Sequence, residues 1–249
     1  MVKFSTLALG LLAVAGEVCA QNTIKVMPFG ASIVSRCWRA NLQTKLRAGG
    51  VTNFDFVGSQ KSSCTDGTNI DQDHEGHPGK QAAEFVAKGN LTVWLNQNPP
   101  DVILMLLGTN DVIIGKRSVN DIIASYDILI AQMRKKNPNM QIVFSNLLPL
   151  DPKKWAASAV QGIKDLNAAV ATYAPKKGTM KSPVYFVDNF AGFDPVKDTD
   201  SDGEHPNLTT GVQKMAAKFL EPTKTAIRAA AAVKAKRVKR AERMLDMSE

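Results

Sequence analysis

Short apolar segments recur along the chain, each bounded by Gly, Asn, Asp or Pro. Their length and their content of Val, Ile, Leu and Phe predict five β-strands. The predicted strands span residues 24–29, 54–57, 102–107, 141–144 and 184–187. The segment 102–107 is apolar at every position, and this lack of alternation indicates a strand that is buried on both faces.

The segments between these strands carry apolar residues at helical spacing. They predict five α-helices, at residues 38–46, 81–87, 122–133, 156–173 and 210–220. The order is then a strand followed by a helix, five times over. Such alternation favours a parallel sheet with helices on both of its faces. We therefore predict an α/β fold, a three-layer α/β/α sandwich around a five-stranded parallel sheet.

The first 20 residues have the pattern of a secretory signal peptide. Lys3 precedes an apolar run over 7–15, and Val18 and Ala20 place small residues before a cleavage point at Gln21. The alternative is a buried N-terminal helix. The run is too short to span a membrane, which takes about 20 apolar residues, and no later segment qualifies. We predict a secreted, extracellular protein without a membrane span.

Cleavage at this point would remove Cys19 and leave two cysteines, Cys37 and Cys64. An even number of cysteines in an oxidising compartment predicts one disulfide. Two Asn-Leu-Thr triplets begin at Asn90 and Asn207 and are candidates for N-glycosylation. These features agree with secretion from a eukaryotic cell.

The composition fits one large globular domain. Of the 249 residues, 44% are hydrophobic and 22% are charged, and the mean hydropathy is −0.14. These values exclude wholesale disorder, collagen-like structure and a multi-span membrane protein. We divide the chain into the signal peptide at 1–20, a globular domain at 21–221 and a basic extension rich in Ala, Lys and Arg at 222–249.

The formal net charge of +8 raises the question of a nucleic-acid partner. Half of this charge lies from Glu221 onward, so the globular domain is only mildly basic. Within the extension, residues 229–244 predict a solvated terminal helix. We therefore predict no nucleic-acid partner.

Several residues with chemically useful groups follow the predicted strands. In an open parallel sheet, ligands bind beyond the carboxyl ends of the strands. Ser32 follows the first strand, Gly79 lies after the second and Asn110 follows the third, while Asp202 and His205 follow the fifth. The fold therefore brings them to one edge of the sheet. A serine, a histidine and an aspartate with nearby donors are the parts needed for serine hydrolysis.

Each of these residues has a defined role in such a reaction. A serine hydroxyl needs a base to become a nucleophile, and His205 can accept the proton of Ser32. Asp202 can orient the imidazole and stabilise its cation. The backbone N–H groups of Ser32 and Gly79 and the side-chain amide of Asn110 can bind the oxyanion. The alternatives are structural: Ser32 as a helix cap, Asn110 as a turn residue and His205 as a loop residue.

Two segments match metal-binding motifs only in part. His74 and His77 are three residues apart, whereas the helical zinc motif places its histidines four apart. Asp198 and Asp200 begin a segment like a calcium loop, but its twelfth position is Thr209 and not a glutamate. An irregular calcium site near these aspartates stays an open alternative. We predict no metal and no cofactor for the reaction.

The segment 27–33, Met-Pro-Phe-Gly-Ala-Ser-Ile, resembles the first conserved block of SGNH (GDSL-type) hydrolases. Gly79, residues 108–111 and residues 202–205 resemble the other three blocks in the same order. The resemblance runs from about residue 24 to residue 220. It implies a flavodoxin-like SGNH hydrolase fold and metal-independent hydrolysis of esters.

Further strings are similar to carbohydrate esterase family 3, a branch of acetylxylan esterases. They are residues 37–39, 55–59, 73–79 and 205–207. This resemblance implies removal of O-acetyl groups from plant cell-wall polysaccharide. The expected partner is an acetylated polysaccharide or a small acyl ester, and we expect the protein to be a monomer.

The chain departs from the family at two positions of the first block. Ala31 stands where the family has Asp, and Val34 stands where it has Thr. The family's Asp helps to hold the oxyanion loop, so we expect Ala31 to weaken the hold on Ser32. Two rival functions follow. One is a secreted non-catalytic pseudoenzyme that binds polysaccharide or a host partner, and the other is a carboxylesterase acting on lipid or short-chain esters.

Two side chains beside the first block have less definite expectations. Trp38 is predicted to pack in the core, since large aromatic side chains usually do so. Arg39 either holds a loop carboxylate or faces the cleft, and the sequence leaves both possibilities open.

Overall fold

The computed structural model describes residues 23–65 and 69–247, so the predicted signal peptide at 1–20 lies outside the described residues. Within them the chain forms seven strands. They are β1 (Ile24–Gly30), β2 (Phe54–Phe56), β3 (Gln60–Lys61), β4 (Asp73–Gly76), β5 (Val102–Leu106), β6 (Gln141–Ser145) and β7 (Val184–Val187). The five predicted strands are present as β1, β2, β5, β6 and β7.

The parallel part of the sheet is centred on β1. Strands β5, β6 and β7 follow β1 on one side, each parallel to its neighbour. On the other side, β2 pairs with the first half of β1, from Ile24 to Val26, and β4 pairs with its end, at Phe29 and Gly30. Strand β3 adds to β4 in antiparallel orientation.

The prediction of five strands was therefore incomplete, because β3 and β4 were missed. Both are short and polar, so neither gives an apolar signal in the sequence. His74 and Glu75 of β4 are nevertheless buried, with 2% and 0% of their surface exposed. Hydrogen bonds to neighbouring loops, rather than apolar side chains, hold this part of the sheet.

Seven helices cover the sheet in the described part of the chain. They are α1 (Trp38–Ala48), α2 (Ala82–Lys88), α3 (Asn90–Gln97), α4 (Thr109–Ile113), α5 (Val119–Lys136), α6 (Ala157–Lys176) and α7 (Gly211–Asp246). Helix α1 packs against α7, whereas α5 packs against α2, α3 and α6. These two groups form the outer layers of the α/β/α sandwich. The short helices α3 and α4 were not predicted.

The core lies between the sheet and these helices. All residues of β5 and β6 are buried, as expected for central strands of a parallel sheet. Trp38 of α1 is fully buried and stacks on Phe219 of α7, with ring centroids 4.5 Å apart. The prediction that Trp38 packs in the core is therefore confirmed.

The basic extension predicted from residue 222 begins inside α7. Pro222 lies within this helix and does not end it. Ala226, Ile227 and Ala230 belong to the buried core, because their spacing continues the apolar face of the helix. Lys234 pairs with Asp101 at 2.7 Å. The first turns of the extension are thus packed on the domain, in contrast to a wholly solvated helix.

The predicted disulfide joins Cys37 to Cys64, with Cα atoms 5.5 Å apart. Cys37 directly precedes α1, and Cys64 lies in the loop after β3. On the chain-entropy model, a bridge across 27 residues contributes about 3 to 4 kcal/mol to stability. It connects the start of α1 to the loop that follows the short polar strand β3. None of the described helices combines the length and the apolar character needed to cross a membrane.

Candidate active site

A chain of hydrogen bonds joins the three residues predicted to perform catalysis. The Nε2 atom of His205 lies 2.8 Å from the Ser32 hydroxyl oxygen. The Nδ1 atom of the same ring lies 2.8 Å from Oδ2 of Asp202. Ser32 is in the turn after β1, and the other two residues are in the loop before α7. The sheet therefore brings together residues 173 positions apart in the sequence.

Asp202 is fixed by the backbone of its own loop. Its Oδ1 accepts hydrogen bonds from the N–H groups of Glu204 and His205, at 2.9 and 3.0 Å. The Trp155 ring N–H donates to the Asp202 carbonyl at 3.0 Å. Burial acts to raise the pKa of Asp202, but these N–H donors and the His205 ring hold it below its usual value. Asp202 therefore stays ionised and holds the proton of His205 on Nδ1.

The turn that carries Ser32 has its own set of hydrogen bonds, although residue 31 is alanine. The N–H and the hydroxyl of Ser35 both donate to the Ser32 carbonyl, at 3.1 and 2.7 Å. The Trp38 ring N–H and the Arg39 guanidinium donate to the carbonyls of the next two residues, at 2.9 and 2.8 Å. Arg39 is fully buried and does not face the cleft.

Gly79 lies in the turn after β4, and Asn110 lies in α4 and lines the same small cavity as Ser32. Gly79 has φ +77°, a conformation that glycine adopts without strain. Asn110 is buried, and its Nδ2 donates to the Lys80 carbonyl at 3.0 Å, which leaves it a second amide hydrogen. Within residues 23–65 and 69–247, neither the Ser32 N–H nor the Gly79 N–H donates a hydrogen bond. These donors are available for an oxyanion.

A buried carboxylate and a half-buried imidazole support the turn that contains Gly79. His77 Nε2 lies 2.6 Å from Oε1 of Glu75, and its ring stacks on Trp94 with centroids 4.0 Å apart. The His77 backbone N–H donates to the Gly30 carbonyl at the end of β1, at 2.9 Å. Glu75 also accepts from the hydroxyl of Ser59 at 2.6 Å. The turn is thereby connected to the end of β1, the strand that precedes Ser32.

Asp111 is a positioning residue to which the sequence analysis gave no role. It is fully buried, and its carboxylate accepts the N–H groups of Ala82 and Ala83 at 2.8 and 3.2 Å. These are the first residues of α2, where a carboxylate satisfies free donors and interacts well with the helix dipole. Since α2 begins just after Gly79, Asp111 links the segment after β5 to the turn that contains Gly79. The position of Asp111 directly after Asn110, a candidate site residue, was the one sequence signal that could have indicated this role.

Glu204 is a second residue that the sequence analysis left without a role. Only 7% of its surface is exposed, and it lines a small cavity together with Ser32, Thr109 and Asn110. Burial raises the pKa of Glu204. The nearby Asp202 raises this pKa further, whereas His205 lowers it. The sequence gives no sign of this burial, since a glutamate in a Gly-Glu-His loop is usually exposed.

We predict that Glu204→Gln increases the stability of the protein at pH 8. The raised pKa means that the folded state binds the Glu204 proton more tightly than the unfolded state does. Wild-type stability therefore falls as pH rises through this pKa, and the neutral glutamine avoids that loss. Thermal unfolding of both proteins from pH 4 to pH 8 measures the difference, which should widen with pH.

Glu84→Gln is the matched control for this experiment. Lys80 and Lys88 lower the pKa of Glu84 to about 2 through hydrogen bonds at 2.8 Å. A glutamine there should therefore remove stability at neutral pH rather than add it. Equal pH dependence in Glu204→Gln and the wild type would contradict the prediction for Glu204.

The side chains considered for metal binding have other partners. Asp198 pairs with Lys214 at 2.5 Å, and Asp200 pairs with Arg36 at 3.5 Å. The ring of His74 lies 2.7 Å from the Ser62 hydroxyl, and burial lowers its pKa to about 3. Among the described residues there is no cluster of three or more His, Cys, Asp or Glu side chains arranged to hold a metal ion.

The two candidate glycosylation sites lie at the start of helices. Asn90 is the first residue of α3. Asn207 precedes α7, and its Oδ1 accepts N–H groups at the start of that helix, including that of Gly211 at 3.0 Å. Glycosylation of either residue stays a prediction.

The chain is similar to known proteins in its sequence and in its fold. The model of the GDSL-like Lipase/Acylhydrolase family matches residues 29–209. A multidomain esterase of Ruminococcus flavefaciens is 28% identical over 225 residues. The match covers 81% of this chain and 28% of the relative, so the chain spans a little over a quarter of that protein.

Two solved structures resemble the chain over nearly their whole length. A carbohydrate esterase family 3 protein from Talaromyces cellulolyticus has 32% identity and a TM-score of 0.76, covering 83% of this chain and 99% of its own. A mutant acetyl esterase with an acetate ion has 31% identity, the same TM-score and the same coverage. The chain therefore belongs to the GDSL-like lipase/acylhydrolase family.

Proposed function

We propose that the protein is a secreted serine esterase that removes O-acetyl groups from plant cell-wall polysaccharide such as acetylxylan. The observation that carries this proposal is the hydrogen-bonded chain from Ser32 through His205 to Asp202. The backbone N–H groups of Ser32 and Gly79 support it, because they donate no hydrogen bond within the described residues and such donors can stabilise an oxyanion. The disulfide between Cys37 and Cys64 supports secretion.

In the first half-reaction, the Ser32 oxygen attacks the carbonyl carbon of the acetyl ester while His205 Nε2 takes the hydroxyl proton. The carbonyl oxygen becomes an oxyanion bound by the Ser32 and Gly79 N–H groups and the Asn110 amide. Collapse of this intermediate breaks the bond to the sugar oxygen, which receives the proton from His205. The sugar leaves with a free hydroxyl, and Ser32 carries the acetyl group.

In the second half-reaction, water attacks the acetyl-Ser32 carbonyl while His205 accepts a proton from the water. The same donors stabilise the second oxyanion. Its collapse releases acetate and returns the proton to Ser32. Throughout, the Asp202 carboxylate faces Nδ1 of the ring and stabilises the imidazolium that forms in each step.

A short acyl group is favoured by the space beside Ser32. The cavity lined by Ser32, Asn110 and Glu204 has a volume of about 10 Å³. Sites for larger ligands are usually of the order of 300 to 1,000 Å³. Similarity to an acetyl esterase and to a carbohydrate esterase family 3 protein supports the same choice. A lipid ester would require a long apolar pocket instead.

The test is acetate release from acetylated xylan by the purified chain, with aryl acetate, butyrate and octanoate esters in parallel. We expect release from the xylan and a rate on the aryl esters that falls as the acyl chain lengthens. Rates that rise toward octanoate would favour a lipid esterase. A folded protein with no activity on any of these substrates would favour the non-catalytic polysaccharide-binding protein.

A further inference from the structure

A second groove lies at the opposite edge of the sheet from Ser32. Ser32 follows the carboxyl end of β1, whereas this groove includes Gln141, the first residue of β6. Its other walls are the loop before β7 and the second half of α7. The groove has a volume of about 430 Å³, which is within the usual range for a ligand site.

The lining of this groove is strongly basic. Among the described residues, Lys181, Lys236, Arg237 and Arg240 line it, and no acidic residue does. In the part of the chain that the structure describes, none of these four side chains has an ion-pair partner. The neighbouring carboxylate of Asp101 is already paired with Lys234 and accepts the Lys25 N–H, so it neutralises little of this charge.

Part of the groove lining is apolar. Met180, Pro183 and Val233 contribute to it. The Met180 side chain is fully exposed, so this apolar surface is accessible from solvent. A ligand that fits both surfaces has apolar faces along its length and carboxylates at its edges. The C–H faces of sugar rings and the carboxylates of uronic acids have this combination.

We propose that this groove binds a carboxylate-bearing polysaccharide, a chain of uronic acid residues, at a site separate from the esterase centre. The proposal rests on the proposed function, since it assumes a polysaccharide substrate. Arginine guanidinium groups suit carboxylates because they donate two parallel hydrogen bonds, and here two of the four cations are arginines.

Other anionic partners fit the groove less well. Single-stranded nucleic acids are usually held by stacking of bases on aromatic rings, and no aromatic side chain among the described residues lines this groove. Helices that lie on membranes insert Trp, Phe or Leu side chains into the lipid, and the groove has none of these either.

The position of the groove would allow one polysaccharide chain to contact both the groove and the esterase centre. Strand β6 has five residues, so the two edges of the sheet are separated by roughly 17 Å of strand. One small molecule does not span this distance, but a polymer does. Binding of one segment of a polysaccharide in the groove would raise the local concentration of acetylated segments near Ser32.

The test is binding of polygalacturonate to the full chain in low salt, measured by calorimetry, with unsubstituted xylan as a neutral comparison. The groove variant combines Lys236→Gln, Arg237→Gln and Arg240→Gln. The control variant combines Arg228→Gln, Lys239→Gln and Arg243→Gln, which remove the same charge from exposed positions of the same helix outside the groove. We expect wild-type binding, about tenfold weaker binding by the groove variant and nearly unchanged binding by the control.

Equal weakening by both variants would overturn the proposal, because it would reflect the overall charge of α7. Failure of polygalacturonate to bind would also overturn it, as would binding to an oligonucleotide or to anionic phospholipid vesicles in its place. Hydrolysis of an aryl acetate by the same samples separates the two proposals. If the aryl acetate is hydrolysed but polygalacturonate does not bind, only the proposed role of the groove fails. If polygalacturonate binds but hydrolysis does not depend on Ser32, only the proposed esterase function fails.

Discussion

Replacement of Ser32 by alanine is expected to lower kcat for acetate release by roughly 10³- to 10⁶-fold. The substitution removes the atom that attacks the acetyl carbon in the first half-reaction and leaves His205 Nε2 without its hydroxyl partner. Any residual rate would come from the oxyanion donors, since the backbone N–H groups of Ser32 and Gly79 are retained. The measurement is steady-state hydrolysis of an aryl acetate and of acetylated xylan.

Ser32→Ala should fold like the wild type. The Ser32 carbonyl, which accepts hydrogen bonds from Ser35, is unchanged, and within the described part of the chain the hydroxyl has its hydrogen bond to the His205 ring. Ser35→Ala is the matched control, because it removes a hydroxyl from the same turn that bonds backbone rather than substrate. A Ser32→Ala rate close to that of the wild type, at an equal melting temperature, would exclude Ser32 as the nucleophile.

Replacement of Asp202 by asparagine is expected to lower kcat by about 10⁴-fold. The asparagine oxygen can still accept the N–H groups of Glu204 and His205, so the loop keeps its shape. Its amide nitrogen would then face Nδ1 of His205 as a donor. The ring would place its own proton on Nε2, where it must instead accept the proton of Ser32.

Asp200→Asn is the matched control for this change. Asp200 lies two residues away in the same loop, but its carboxylate pairs with Arg36 at 3.5 Å and is well exposed. Such a surface pair contributes little, so we expect a less than about threefold change in kcat. A loss of similar size in both variants would mean that loop structure, rather than the carboxylate next to His205, determines the rate.

The strands and the grouping of the candidate site residues were predictable from the sequence for different reasons. Strands such as β5 are apolar at every position, and only a sheet covered on both faces accommodates such a segment. Once a parallel sheet is predicted, the residues after each strand must meet at one edge. Ser32, Asn110 and His205 were assigned in this way, before any distance between them was known.

The polar parts of the structure were not predictable in the same manner. Glu75 and Asp111 are fully buried because hydrogen bonds from distant segments satisfy their carboxylates. Strand β4, which contains Glu75, has no apolar pattern at all. The partners that make such burial possible lie many residues away, and no local pattern identifies them.

The sequence alone thus determined the layered α/β arrangement and which candidate site residues meet at one edge of the sheet, because apolar periodicity and strand order constrain them directly. The cysteine pair followed from the even number of cysteines left after the predicted signal peptide. The tertiary structure alone decided how the Ser32 turn is held with alanine at position 31, that Glu204 is buried beside the serine, and that α7 continues past Pro222 to form one wall of the basic groove. These features depend on contacts between segments far apart in the chain, whose free energy is set by burial and by the geometry of hydrogen bonds.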